Sequence, residues 1–317
     1  WETGDPAGFQ TFSELMGAYH RQLEHAVGIQ AAAANITDLI HAELAPCPTV
    51  SILVTGCIEN GRDATHGGAR YNFTGPVGVG SATVGDSLAA IKKLVYESKA
   101  ISLEDIIQAI RQDFVGHEPL RQMLINRAPK FGCDEDYVDD LVIEITKDFF
   151  DQVEKHTNPR GGPFIPALYS VTAQAGLGRL SAATPDGRRE RTPLSDGISP
   201  SNGKDLAGPT AALKSVCKVD LIRATNGVIF NLRFSPSVLS DGDGLNKIAQ
   251  FLRTFVDLGG FHIQFNIIST ETLKEAQRNP EAHRGLVVRV AGYSAFFVEL
   301  CKEVQDSIIA RTEQSFR

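Results

Sequence analysis

The sequence predicts an α/β fold, and three observations carry that prediction. In the last third, short apolar runs at residues 228–234, 261–269 and 286–291 have strand character and alternate with helical stretches. Earlier segments repeat apolar residues at spacings of three and four, the period of a helix with one buried face. The chain has 317 residues, 42% hydrophobic and 22% charged, which is enough apolar material for a substantial core.

Taken in order, the first helix opens at Thr11 and carries Phe12, Leu15, Met16, Tyr19 and Leu23 on one face. The alanines at 31–34, with Ile36, Leu39 and Ile40, predict a second helix that stops before Pro46 and Pro48. The apolar, β-branched run at 49–54 predicts a buried strand. The glycine-rich residues 56–85 predict a long loop, centred on His66-Gly-Gly-Ala-Arg-Tyr-Asn-Phe-Thr-Gly-Pro. Helices are predicted over about 86–96, after the cap Ser102-Leu-Glu-Asp, and over about 137–153. The middle one sets Ile106, Ile107, Ile110 and Phe114 on one face.

Residues 157–162 and 183–187 predict turn-rich loops. A short helix over 270–277 is stopped by Asn279-Pro280. A turn at Gly292 then leads into a final helix, in which Phe297, Cys301, Val304 and Ile308 keep helical spacing. No internal repeat or low-complexity segment interrupts this order.

Composition narrows the function. A formal net charge of -7 argues against a nucleic-acid or anionic-membrane partner, which favours a basic patch. No apolar run approaches the ~18 residues of a membrane span. The five cysteines are widely spaced and form no C-x-x-C pair, so neither a disulfide framework nor a zinc site is expected. The opening Trp1-Glu-Thr-Gly-Asp-Pro lacks a start methionine and a signal peptide, and reads as the interior of a longer cytoplasmic protein. The sequons at Asn35 and Asn72 are then chance matches.

Common motifs fail on their own terms. Gly78-Val-Gly80 lacks the third glycine of a dinucleotide fingerprint, since position 83 is Thr83. Gly203-Lys204 is followed by Asp205, and its earlier glycine is one residue out of register for a P-loop. The eight histidines form no H-E-x-x-H pair, and no G-x-S-x-G elbow is present.

One segment stands apart, Val287-Val-Arg-Val-Ala-Gly-Tyr-Ser-Ala295. It resembles the signature of the glycyl radical enzymes, the pyruvate formate-lyase-like family. Five other segments resemble the same family in the same order. They are Gly67-Gly-Ala-Arg-Tyr-Asn-Phe-Thr-Gly-Pro76, Ala183-Thr-Pro-Asp-Gly-Arg188, Pro193-Leu-Ser-Asp-Gly-Ile-Ser-Pro200, His262-Ile-Gln-Phe-Asn266 and Ile308-Ile-Ala-Arg-Thr-Glu313.

The resemblance implies the fold and the chemistry. It implies part of a ten-stranded α/β barrel over residues 1–190 and a terminal glycine radical domain over 191–317. Gly292 would hold the radical, with Arg289 and Tyr293 supporting its loop. The cofactor would be that radical, with nothing dissociable and no metal, installed by a radical-SAM activating enzyme. Glycine suits the role because the electron is shared with the flanking amide groups across a planar α-carbon, which a β-carbon would crowd. The radical would oxidise a cysteine to a thiyl, which abstracts hydrogen from a small substrate. His262, Gln264 and Asn266 alternate along one strand face and are weaker pocket candidates.

The Arg-Val-Ala-Gly-Tyr-Ser wording is similar to the glycerol and diol dehydratase and choline lyase branch. Formate acetyltransferases, arylacetate decarboxylases and fumarate-adding synthases are the alternatives, as is a non-catalytic spare-part subunit. The family's catalytic cysteine lies on a loop further upstream than this chain reaches. Gly56-Cys57-Ile58-Glu59 imitates that loop, but it sits directly before the His66 segment. Cys57 is therefore expected to be a buried cysteine at a strand end. Cys301 is expected to pack on the apolar face of the final helix. The missing thiol would come from an upstream part of the same enzyme or from a separate subunit, within a homodimer.

Overall fold

A computed structural model describes residues 1–240 and 242–316. Helix α1 (Phe12–Leu44) is one continuous rod, where the sequence predicts two helices. Its start is a capping box: Glu14 N donates to Thr11 Oγ1 at 3.3 Å, and Thr11 N donates to Glu14 Oε2 at 3.0 Å. Neither proline nor a stop signal interrupts it before Pro46. The alanines at 31–34 have the highest helix propensity, which offsets the roughly 1 kcal/mol cost of Gly28.

The run at 49–54 is not a strand. Helix α2 (Pro48–Ser51) takes its place, and Val50, Ile52 and Leu53 are exposed. Pro48 presets the first helical turn. Asp63 completes it, accepting from Cys47 N at 3.2 Å and Ser51 Oγ at 2.7 Å. No described strand lies beside this run to offer a ladder. The glycine-rich stretch that follows is mostly loop, with a short helical turn, α3 (Cys57–Asn60), and a 3-10 turn at Ala64–His66. Cys57 is buried as expected, but on this helical turn rather than at a strand end.

Helix α4 (Ser81–Ile91) starts five residues before the predicted point, after Gly80 at φ +91°. Helices α5 (Leu103–Arg111), α6 (Glu118–Asn126) and α7 (Asp136–Val153) follow. The predicted cap of α5 is present, with Asp105 N donating to Ser102 Oγ at 3.0 Å. Helix α4 is buried along nearly its whole length against α7. A Cβ at Gly85 would lie 2.3 Å from Val142 Cγ2, so this close approach needs glycine.

Helices α8 (Ala173–Leu180) and α9 (Pro209–Cys217) lead to β1 (Asn231–Phe234). Then come α10 (Ser237–Ser240), α11 (Gly244–Asp257), β2 (Gln264–Ile267) and α12 (Thr270–Arg278). The chain closes with β3 (Val287–Arg289), β4 (Ser294–Phe296), α13 (Lys302–Ala310) and β5 (Glu313–Gln314). A strand, β4, follows the Gly292 turn directly, where the sequence predicts a helix. Cys301 is exposed ahead of the first turn of α13 and does not pack on its apolar face. Phe297, Val304 and Ile308 are buried.

The described strands form a parallel sheet ordered β2-β1-β5 and an antiparallel pair β3-β4. Strand β1 explains how the sheet divides the molecule. Leu232 and Phe234 point to the main apolar core, where Phe234 meets Phe251, Phe265 and Phe316 edge-on or tilted at 5.3–5.8 Å. Asn231 and Arg233 point the other way. The register sets Asn231 beside Gln264 and Arg233 beside Asn266, so one polar face runs across two strands. The main core draws on Met16 and Ala82 as well as Leu213 and Phe251. A second cluster of Leu273, Val288, Val290, Phe297, Val304 and Ile308 holds the terminal region together.

Candidate active site

Gly292 sits at the tip of the β3-β4 hairpin. Val290 N donates to Tyr293 O at 2.9 Å, which closes a loop of two residues, Ala291 and Gly292. Gly292 has φ +82°, a left-handed value that glycine adopts without the steric cost a Cβ would bring. A Cβ there would lie 3.3 Å from Ile229 Cδ1. Within this chain Gly292 is exposed.

The polar face of the sheet holds this hairpin. Asn266 serves as a surrogate backbone for Arg289: its Oδ1 accepts from Arg289 N at 2.7 Å and its Nδ2 donates to Arg289 O at 2.6 Å. Gln264 Oε1 accepts from Gly292 N and from Arg289 Nε, both at 3.1 Å. Gln264 Nε2 donates to Asn231 Oδ1 and, at 3.5 Å, to Val290 O. Arg289 also reaches across the hairpin to Ser294 Oγ at 3.3 Å.

Beneath the hairpin lies an ion pair. Arg311 Nη2 donates to Asp196 Oδ2 at 3.0 Å and to Val290 O at 2.9 Å, with both side chains buried. Asn231 Nδ2 donates to the same Asp196 oxygen at 2.7 Å, and Ser170 Oγ donates to the other. Burial alone would make each charge costly, and these hydrogen bonds offset that cost. Arg233 makes a parallel anchor to Glu313 at 3.1 Å and to Thr270 Oγ1 at 2.9 Å.

The candidate residues thus meet unequally. Gln264, Asn266 and Arg289 meet at the glycine hairpin, where Gln264 alone of the three bonds Gly292 and Asn266 holds the backbone of Arg289. Tyr293 contributes its backbone carbonyl, and its ring is half-exposed. His262 lies just before β2, with Nδ1 buried and unpartnered among the described residues. Burial, and then the nearby Arg289 charge, lower its pKa, which favours neutral imidazole. Asp196, Arg311 and Asn231 belong to the site without having been singled out. Their only signal is that Asp196 and Arg311 fall inside family-like segments, where no motif of their own marks them.

Cys57 and Glu59 form a separate local structure. Glu59 Oε2 accepts from Gly56 N at 3.0 Å, closing its own turn. A Cβ at Gly56 would lie 2.7 Å from Arg70 N, so this turn packs tightly on the segment that follows. The predicted turn at Asp186 is also present: Thr184 N donates to Arg188 O at 3.0 Å, and Asp186 Oδ1 accepts from Arg188 N at 3.1 Å.

Comparison with known proteins identifies the family of the chain. The family described as Pyruvate formate lyase-like matches residues 1–178, and the one described as Glycine radical matches residues 194–298. The chain is 40% identical over 315 residues to the trans-4-hydroxy-L-proline dehydratase of Clostridioides difficile, covering 99% of this chain and 40% of that protein. It is 38% identical over 320 residues to the (2S)-3-sulfopropanediol dehydratase of Klebsiella oxytoca, covering 99% and 39%. The glycerol-bound B12-independent glycerol dehydratase of Clostridium butyricum superposes with a TM-score of 0.96 at 46% identity, covering 99% of this chain and 40% of that one. The chain therefore spans about two fifths of the length of these relatives. The matched glycine radical segment contains the Gly292 hairpin and supports a glycyl radical as the cofactor. This chain belongs to the pyruvate formate lyase-like family of glycyl radical proteins.

Proposed function

We propose that Gly292 stores the radical of an enzyme that eliminates from, or cleaves, a small polar substrate. One observation carries the reading: within the glycine radical segment, Gly292 stands at an exposed turn tip, at φ +82°, with its amide held by a buried side chain. The residues fit the group. No Cβ crowds the α-carbon, and the flanking amide is oriented rather than free. The radical, once formed, supplies one-electron oxidation of a thiol. This chain's own residues hold the hairpin, through Gln264, Asn266, Arg289 and the Asp196–Arg311 pair.

The dehydratase names of the relatives favour elimination over acyl transfer. Residues 1–190 are assigned to part of a ten-stranded barrel and 191–317 to the glycine radical domain. The stretch between the two family matches, 179–193, supports that division. The hydrogen-abstracting cysteine is assigned to protein outside this chain, the exposed tip being the side from which its thiol approaches. A radical-SAM enzyme installs the radical, in a cytoplasmic homodimer. A spare-part role is disfavoured because residues 1–178 match the barrel family as well.

The test is anaerobic activation of the complete protein followed by electron paramagnetic resonance. A doublet from one α-hydrogen is expected, and Gly292→Ala should abolish it. A doublet that survives in that variant removes Gly292 from the role.

A further inference from the structure

We propose that Gln264 is a positioning residue that tunes the Gly292 radical through the glycine's own amide. The inference rests on the assignment of the radical to Gly292 and goes beyond it. Four hydrogen bonds saturate the Gln264 carboxamide. Two donors, Gly292 N and Arg289 Nε, meet its oxygen. Two acceptors, Asn231 Oδ1 and Val290 O, meet its nitrogen. This set fixes which end is which, because a flipped amide would oppose like groups at all four positions. Gln264 is only 7% exposed, so water does not compete for its oxygen as it would at the surface.

The electronic consequence follows. An α-carbon radical next to an amide draws electron density from the nitrogen. A hydrogen bond from that N–H to a carbonyl oxygen makes the nitrogen a better donor. Spin then moves off the α-carbon, and the radical is stabilised. The Gln264 oxygen is held in place by a directed series: Gln264 donates to Asn231, and Asn231 donates to Asp196, whose charge is anchored by Arg311. Asp196 and Arg311 thus act on the glycine at two steps' remove, without touching it.

Residue choice at position 264 is constrained. Asparagine is one methylene too short to span Asn231 and the hairpin. Glutamate keeps an acceptor for Gly292 and Arg289 but turns its second oxygen toward two acceptors, Asn231 Oδ1 and Val290 O. Leucine keeps the bulk and removes every hydrogen bond.

The experiment uses the complete protein, activated anaerobically, with Gln264→Leu and Gln264→Glu beside the wild type. The splitting by the α-hydrogen is expected to be widest in Gln264→Leu, intermediate in the wild type and narrowest in Gln264→Glu. The doublet of Gln264→Leu should also decay about fivefold faster without oxygen, the scale of one neutral hydrogen bond. Equal splittings and lifetimes in all three overturn the proposal, because a purely structural role does not order the splitting by acceptor strength. If Gln264→Leu carries no radical, electron–nuclear double resonance on the wild type decides. One sharp amide-proton coupling at Gly292 supports a fixed carbonyl acceptor, and a spread of couplings overturns it. A wild type without any doublet defeats the Gly292 assignment itself, and this proposal with it.

Discussion

Asn266 pairs with both backbone groups of Arg289, its Oδ1 2.7 Å from the amide nitrogen and its Nδ2 2.6 Å from the carbonyl oxygen. A side chain thus does for β3 what a neighbouring strand would do. Asn266→Ala leaves the N–H and C=O of Arg289 without partners, at an expected cost of about 1–3 kcal/mol. Hydrogen exchange read peptide by peptide should show faster exchange across β3 and β4, with α4 and α7 unchanged. Unchanged exchange in the hairpin would mean that the clamp holds nothing.

Oxygen offers an independent check on the glycine. A glycyl radical reacts with oxygen and breaks the backbone at that residue. Air exposure of the activated protein should release a short carboxy-terminal piece beginning near Tyr293. Mass spectrometry should find it only after activation, and Gly292→Ala should not release it. That substitution also carries a local cost, because alanine at φ +82° is strained by roughly 1–2 kcal/mol and its methyl presses on Ile229. A cut elsewhere in a radical-bearing sample counts against Gly292.

Cys57 tests where the catalytic thiol lies. Its side chain is buried on the turn that Glu59 closes with Gly56, so the acid of the look-alike motif is engaged locally. Cys57→Ser in the complete, activated enzyme should keep most of its turnover of candidate diols and amines. Loss of turnover with the doublet intact would make Cys57 and Glu59 the thiyl and acid–base pair.

Asp86 sets a pH dependence. It is fully buried in α4 and accepts from Phe131 N at 2.8 Å. Burial pushes its carboxyl up to about 7, against the opposing pull of Lys130. Between about pH 4 and 7 the folded chain therefore holds a proton that the unfolded chain has released. Stability from this group is fully present below about pH 4 and falls as pH rises toward 7. The full shift corresponds to about 4 kcal/mol at most. Asn cannot titrate and keeps the acceptor for Phe131, so Asp86→Asn should flatten the fall of the unfolding midpoint across that window. Parallel pH profiles for the two proteins would show that Asp86 titrates normally.

Local features were legible in the sequence because their causes are local. The Ser102 cap, the helix stopped by Asn279-Pro280 and the turn at Gly292 each depend on residues within a few positions of one another. The family-like segments carried the radical assignment in the same way, as contiguous text. Where local cues misled, an absent or unexpected neighbour decided. The run at 49–54 has strand composition but no strand beside it, and β4 forms after Gly292 because β3 is there to pair with it.

The clamp around Gly292 was decided by tertiary structure alone. Gln264 stands 28 residues from Gly292 and 33 from Asn231, and Asp196 stands 115 from Arg311. Sequence determined which residue types were available on alternate positions of β1 and β2. Only the parallel register, with Asn231 beside Gln264, turned two polar strand faces into one surface. Buried polar groups must find partners, and the partners open to these are the ones that folding brings within about 3 Å.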